Sequence, residues 1–193
     1  MSRHEQTVRL ISGQWRRRLL RFPAEEGLRP TPDAARERVF NWLGQSLDGW
    51  RCLDVFAGSG ALGFEAASRG AAHTIFLERN RAVCQALRAN RDLLAAVQTD
   101  IICTDALAWL RQQTAAGDGA KQGFARFDLV FIDPPYASAL QTETLQQLPS
   151  LLAPSGIVYL EHDGSFTPPA GWNIQRDGRT GHAHYLLLEQ DPS

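Results

Sequence analysis

Apolar and polar positions along the chain switch repeatedly between two periods. Short apolar runs predict strands at Arg51 to Phe56, Thr74 to Leu77, Thr99 to Cys103, Leu129 to Ile132 and Ile157 to Leu160. Between them, apolar residues at helical spacing predict helices over Ala61 to Arg69, Arg81 to Ala96, a stretch running through Gln113, and Leu140 to Leu152. The last of these is ended by Pro154 and Gly156. Strand and helix alternating in this way predict an α/β fold built on a mostly parallel sheet. The unbroken run Leu129 to Ile132 is what a strand covered on both faces requires.

Both ends depart from the alternation. At the front, Val8 to Ile11 and the later Leu19, Leu20 and Phe22 predict a small β-ribbon around Ser12 and Gly13. The prolines of Leu28-Arg29-Pro30-Thr31-Pro32-Asp33 hold the next segment extended, and a helix is predicted over Ala34 to Leu47, with Thr31 or Asp33 able to cap it. At the back, Trp172 to Arg176, a turn at Asp177 to Gly181, and His184 to Leu188 predict an antiparallel hairpin. The expected organisation is an N-terminal extension over residues 1–48 and a main domain over 49–193. Ala115 to Ala125, polar and rich in Gly and Ala, reads as a surface loop.

A chain of 193 residues with 44% hydrophobic content suits one core with a small appendage. The net charge of -1 hides an uneven distribution, because residues 1–38 hold nine Arg against five acids. Trp15, Arg16, Arg17 and Arg18 on the ribbon, with Arg36 beyond it, are candidates for stacking on bases and pairing with phosphates. The same aromatic and basic side chains suit a hairpin packed on the sheet or a solvated face equally well. Cys52, Cys84 and Cys103 lack metal spacing and read as reduced core residues. No apolar run is long enough to span a membrane and no leader pattern precedes the ribbon, so a cytoplasmic protein is expected. His182 and His184 share a strand face without a third ligand nearby, so no metal is expected and the two read as polar residues of an edge strand.

The candidate chemistry lies at the carboxyl ends of the strands, where open α/β sheets bind ligands. The first strand runs into Asp54-Val55-Phe56-Ala57-Gly58-Ser59-Gly60, the second ends at Glu78-Arg79, and the third is followed by Asp105-Ala106. The fourth ends in Asp133-Pro134-Pro135-Tyr136. Gly58, Gly60 and Gly63 also satisfy the dinucleotide pattern, with Glu78 near the spacing of a ribose-binding acid, so a nicotinamide-dependent oxidoreductase has to be weighed. Asp54 argues against it: a carboxylate just before the glycines would repel a pyrophosphate, and it suits a ligand with a cationic end. The prolines after Asp133 remove two backbone donors and leave a stiff loop of acceptors beside an aromatic ring, which suits a planar amine.

Asp54 to Gly60, Glu78, Asp105 and Asp133 to Tyr136, in that order, resemble the S-adenosylmethionine pocket of class I methyltransferases of the amino-methylating branch. Val8 to Leu20, Leu28-Arg29-Pro30-Thr31, Arg36-Glu37 and Phe40-Asn41-Trp42-Leu43 further resemble the RsmD family of small-subunit ribosomal RNA guanine-N2 methyltransferases. The resemblance implies a Rossmann-like fold with a mostly parallel seven-stranded sheet, a C-terminal antiparallel hairpin and an N-terminal ribbon and helix. It implies methyl transfer from S-adenosyl-L-methionine to N2 of one guanine in 16S ribosomal RNA, guanine 966, presented on a small-subunit particle to a monomeric enzyme. Arg29 and Thr31 would then cover the cofactor, Asp54, Phe56, Gly58, Ser59 and Gly60 would hold its methionine end, Glu78 and Arg79 its ribose, and Asp105 and Ala106 its adenine. Asp133, at the junction of the cofactor and the base, would with Pro134, Pro135 and Tyr136 hold the guanine. The competing expectations are a DNA adenine-N6 methyltransferase, for which the chain has little room for a target-recognition segment, and a non-catalytic RNA-binding module.

Overall fold

The computed structural model describes residues 5–24, 31–115, 126–134, 139–181 and 183–191. Two sheets are present. β1 (Glu5–Arg9) and β2 (Leu19–Pro23) form the antiparallel ribbon, with Val8 opposite Leu20. The main sheet comprises β3 (Arg51–Asp54), β4 (His73–Glu78), β5 (Thr99–Cys103), β6 (Phe127–Ile132), β7 (Leu152–His162), β8 (Trp172–Thr180) and β9 (Ala183–Gln190), in the order β5-β4-β3-β6-β7-β9-β8. The first five are parallel, and β9 and β8 complete the sheet as an antiparallel pair. The order reverses at β3, so the crevice beyond β3 and β6 is the topological switch point.

Five helices cover the sheet: α1 (Asp33–Leu43), α2 (Ala61–Ser68), α3 (Arg81–Leu94), α4 (Ala106–Ala115) and α5 (Ala139–Gln147). Side chains alternate across the sheet as strand geometry requires. Leu53, Val130, Ile132, Val158 and Leu160 pack on one face with Leu107 and Leu110 of α4 and Leu145 of α5. Cys52, Leu129, Phe131 and Tyr159 pack on the other with Val39 and Phe40 of α1 and Leu62 of α2. The ribbon joins α2 and α3 in a further cluster containing Leu10, Trp15, Leu20, Phe64 and Leu87.

The seven-stranded, mostly parallel sheet with its terminal hairpin and frontal ribbon is the expected fold. The boundaries differ in four places, each for a local reason. α1 ends at Leu43 rather than Leu47, because Gly44 leaves the helix with φ 99°. α5 stops at Gln147, and β7 begins already at Leu152, accommodating Pro154 and Gly156 through an irregular register opposite Phe127 to Leu129. The expected turn at Asp177 to Gly181 is strand up to Thr180, since a Cβ at position 178 would lie 2.6 Å from the Trp42 ring and only glycine lets β8 pass. His184 lies not on an edge strand but on β9, between β7 and β8, with its ring 5.5 Å from that of His162. His182 lies outside the described residues.

The three cysteines are free, but only Cys52 and Cys84 are buried. Cys103, at the end of β5, is exposed, contrary to the core expectation, because the strand meets solvent at its last residue. Among the described residues, no helix is long and apolar enough to cross a membrane.

Candidate functional site

The strands deliver acids to one crevice. Asp54, last residue of β3, is 2% exposed, and its Oδ2 accepts the Gly63 N–H at 3.1 Å from the first turn of α2. Gly60 enters that helix with φ 77°, and a Cβ there would lie 2.6 Å from Leu87, so the loop closes tightly only with glycine. Burial, opposed by the Gly63 hydrogen bond and assisted by the charges of Asp133 and Glu78, pushes the Asp54 carboxyl up to about 8. Ser59 is buried, with Oγ accepting from Ala61 N–H at 3.3 Å, and Phe56 packs partly buried against the core.

Glu78, last residue of β4, is fixed from two sides. Its Oε2 accepts Gly58 N–H at 3.1 Å and its Oε1 accepts Asn80 N–H at 2.7 Å. Asn80 in turn caps α3 through Oδ1, which leaves Glu78 in a rigid setting beside the glycine loop. Arg79 is exposed. Asp105 spends Oδ1 on Ala108 N–H at 2.9 Å, the helix cap that its position suggests, while its side chain stays exposed next to the buried Ala106.

Asp133 follows β6 with the Pro134 residue beside it, both partly buried. The Thr31 hydroxyl, one of the two side chains expected to cap α1, instead donates to Asp133 Oδ2 at 3.1 Å. α1 begins after Pro32 without a side-chain cap. Asp133 also shares a side-chain hydrogen bond with Glu161 of β7, and burial pushes both carboxyls up. Arg29, Pro135 and Tyr136 lie outside the described residues.

No Lys or Arg forms an ion pair with Asp54, Glu78, Asp133 or Glu161 among the described residues. A crevice with this surplus of acceptors and negative charge stabilises a cationic ligand and the N–H bonds of an amine. Among the described residues no group of His, Cys, Asp and Glu is arranged to hold a metal ion. Glu161 was missed as a site residue, although an acid directly after the apolar run Ile157 to Leu160 repeats the signal that marks Glu78 and Asp133.

Two of the expected RNA contacts are corrected. Trp15 is only 6% exposed: its ring belongs to the core between ribbon and α2, and its backbone N–H donates to Ser68 Oγ at 2.9 Å, so it has no face to offer a base. Arg36 is fully buried and donates to the Thr31 carbonyl at 3.2 Å, the Arg9 carbonyl at 2.9 Å and Asp33 Oδ1 at 2.6 Å, with Glu65 Oε2 3.7 Å from Nη1. Glu65, fully buried in α2, also accepts from Ile11 and Ser12 N–H and from Arg69. That network ties ribbon, α1 and α2 together and holds Thr31 against Asp133. Arg16, Arg17 and Arg18 are exposed on the ribbon turn, Arg18 reaching the Leu93 carbonyl at 3.4 Å.

Comparison with known proteins places these features in context. The family model described as conserved hypothetical protein 95 matches residues 8–189. The ribosomal RNA small subunit methyltransferase D of Escherichia coli K12 is 38% identical over 95% of this chain and 90% of its own. The solved structure of Escherichia coli yhhF, 37% identical, superposes with a TM-score of 0.81, covering 97% of this chain and 100% of that one. The Thermus thermophilus 16S rRNA N2 G1207 methyltransferase, solved with AdoMet and guanosine, is 18% identical and shares the fold, with a TM-score of 0.69 over 97% of this chain and 50% of that one.

Proposed function

The chain belongs to the RsmD family, the family described as conserved hypothetical protein 95, and from that premise we propose that it methylates the exocyclic N2 of one guanine in small-subunit ribosomal RNA, using S-adenosyl-L-methionine. The observation that carries this reading is the gathering of Asp54, Glu78 and Asp133 at the switch point with no basic partner among the described residues. Such a crevice fits a cofactor whose amino group and sulfonium are both cationic. Relatives at this identity are named as ribosomal RNA small subunit methyltransferases, which supports the RNA substrate, and the proposal is completed by a monomeric, cytoplasmic enzyme acting on a small-subunit particle.

Asp54, with Phe56 and the loop Gly58, Ser59 and Gly60, holds the methionine end of the cofactor. Glu78, pinned by Gly58 and Asn80, accepts from the ribose hydroxyls with Arg79 at its rim, and Asp105 and Ala106 border the adenine. Bound there, the cofactor supplies an electrophilic methyl group on a sulfonium. The protein's task is then to align and activate a poor nucleophile, since the lone pair of guanine N2 is delocalised into the ring. Asp133 and the Pro134 carbonyl accept from the two N–H bonds of that amine, which localises the lone pair and stabilises the positive charge that grows on nitrogen. Tyr136, by its place in the sequence, stacks on the extruded base. Arg16, Arg17 and Arg18 contact phosphates from the ribbon.

The test is to incubate the purified protein with isotopically labelled S-adenosylmethionine and small-subunit particles from a strain lacking the corresponding modification, then identify the labelled nucleoside by mass spectrometry. N2-methylguanosine is expected. Label in N6-methyladenosine would replace the reading with adenine methylation, and an unlabelled RNA would overturn it.

A further inference from the structure

We infer that Glu161 is a positioning residue for Asp133, its carboxyl group and the Thr31 hydroxyl together fixing the direction in which Asp133 presents its remaining lone pairs. The inference deepens the proposed function and rests on it for the identity of the amine. β6 and β7 run parallel and in register up to Ile132 opposite Leu160, so Asp133 and Glu161 are the next neighbours across the pair. Their side chains are hydrogen-bonded to each other, and Thr31 approaches Asp133 Oδ2 from the segment before α1. The backbone of Glu161 is held in turn: Gln141 of α5, 3% exposed, donates Nε2–H to the Glu161 carbonyl at 2.9 Å.

Two carboxyl groups in hydrogen-bonding contact away from bulk water need a proton between them. Among the described residues, the titratable groups facing Glu161 include no positive charge to compensate the pair. They are Asp133 from β6, Tyr159 from its own strand and Tyr185 from β9, opposite Glu161 in register. From the front, Thr31 is neutral, and the buried guanidinium of Arg36 is committed to Thr31, Arg9 and Asp33. Burial first, then the charge and the hydrogen bond of Asp133, push Glu161 up to about 10, and burial raises Asp133 as well, so the pair holds a shared proton at neutral pH. Asp133 receives two donors, from Glu161 and Thr31, and remains an acceptor towards the crevice. The proton shared with Glu161 thus turns a carboxylate that could rotate into one of fixed orientation.

Three forms are to be compared: wild type, Glu161→Gln and Glu161→Leu. The Gln amide still donates to Asp133, so its single-turnover methylation rate stays within about threefold of wild type, whereas Leu loses roughly 10- to 100-fold, the effect of removing a hydrogen bond to a charged group. Cofactor affinity measured by calorimetry stays nearly constant in all three. Infrared difference spectra of the enzyme alone at neutral pH are expected to show a protonated carboxyl group in wild type that Glu161→Gln lacks. A Leu variant turning over at the wild-type rate, or no carboxyl signal lost in Glu161→Gln, overturns the inference. Wild-type protein that methylates no RNA refutes the functional reading instead, and the infrared comparison still decides whether Glu161 holds the proton.

Discussion

The hydroxyl of Thr31 donates to Asp133 Oδ2 at 3.1 Å across 102 residues of sequence. This bond joins the segment ahead of α1 to the acid at the end of β6, and the buried Arg36 guanidinium holds Thr31 from behind through its carbonyl. Replacing Thr31 by Val keeps the shape and removes the donor. A decrease of about fivefold in single-turnover methyl transfer is expected, with cofactor affinity nearly unchanged, as a lost hydrogen bond of about 1 kcal/mol implies. Single-turnover kinetics beside calorimetry measure the two quantities separately.

Asp54 links stability to pH with a definite sign. Its carboxyl is raised from 3.8 to about 8, so between these values the folded protein binds a proton that the unfolded chain has released. The unliganded protein therefore loses stability as pH rises through that window, and Asp54→Asn flattens part of the slope, the raised Glu161 and Asp133 supplying the rest. A cationic ligand prefers the ionised carboxylate, so cofactor binding tightens over the same window in wild type and is weakened about 10- to 100-fold by Asp54→Asn at neutral pH. Thermal melts and binding isotherms across the window check both statements.

Trp15 belongs to the core rather than to an RNA surface. Trp15→Ala is expected to destabilise the fold by about 3–5 kcal/mol, the usual cost of emptying an aromatic core site. Chemical denaturation reads that loss directly, while the salt dependence of RNA binding by the folded fraction stays as in wild type.

Arg16, Arg17 and Arg18 give the opposite result. They are exposed on the ribbon turn, so converting all three to Gln leaves the melting temperature close to wild type. RNA affinity drops, and the slope of log affinity against log salt becomes shallower by up to about 2–3, reflecting the counterions no longer released. An unchanged slope assigns these arginines to the solvated surface.

The residues of the crevice were legible because each follows an apolar strand run, and the period of a strand places its last residue at the ligand-binding edge whatever the rest of the chain does. Asp54, Glu78 and Asp133 needed only that local pattern. Trp15 and Arg36 did not yield to it, because their burial depends on partners far along the chain, Ser68 for the first and Glu65 for the second. A basic residue followed by another acid reads locally as a solvated helix face. Only the packing of α1 on α2 turns it into a buried ion network. The turn expected at Asp177 failed for a similar reason, since Gly178 answers to the Trp42 ring and not to chain reversal. Glu161 carried the same local signal as Asp133, and what the sequence lacked was the register that sets the two side by side.

The central claim is that Asp133 acts chiefly on the acceptor amine, while Asp54 and Glu78 do most of the work of holding the cofactor. Single-turnover methylation of small-subunit particles by Asp133→Ala, measured beside its affinity for S-adenosylmethionine, tests this most directly. The account predicts a loss of roughly 100-fold or more in methyl transfer with cofactor binding preserved, in line with removal of a principal group stabilising charge in the transition state. Transfer to guanine at the wild-type rate by Asp133→Ala would contradict it.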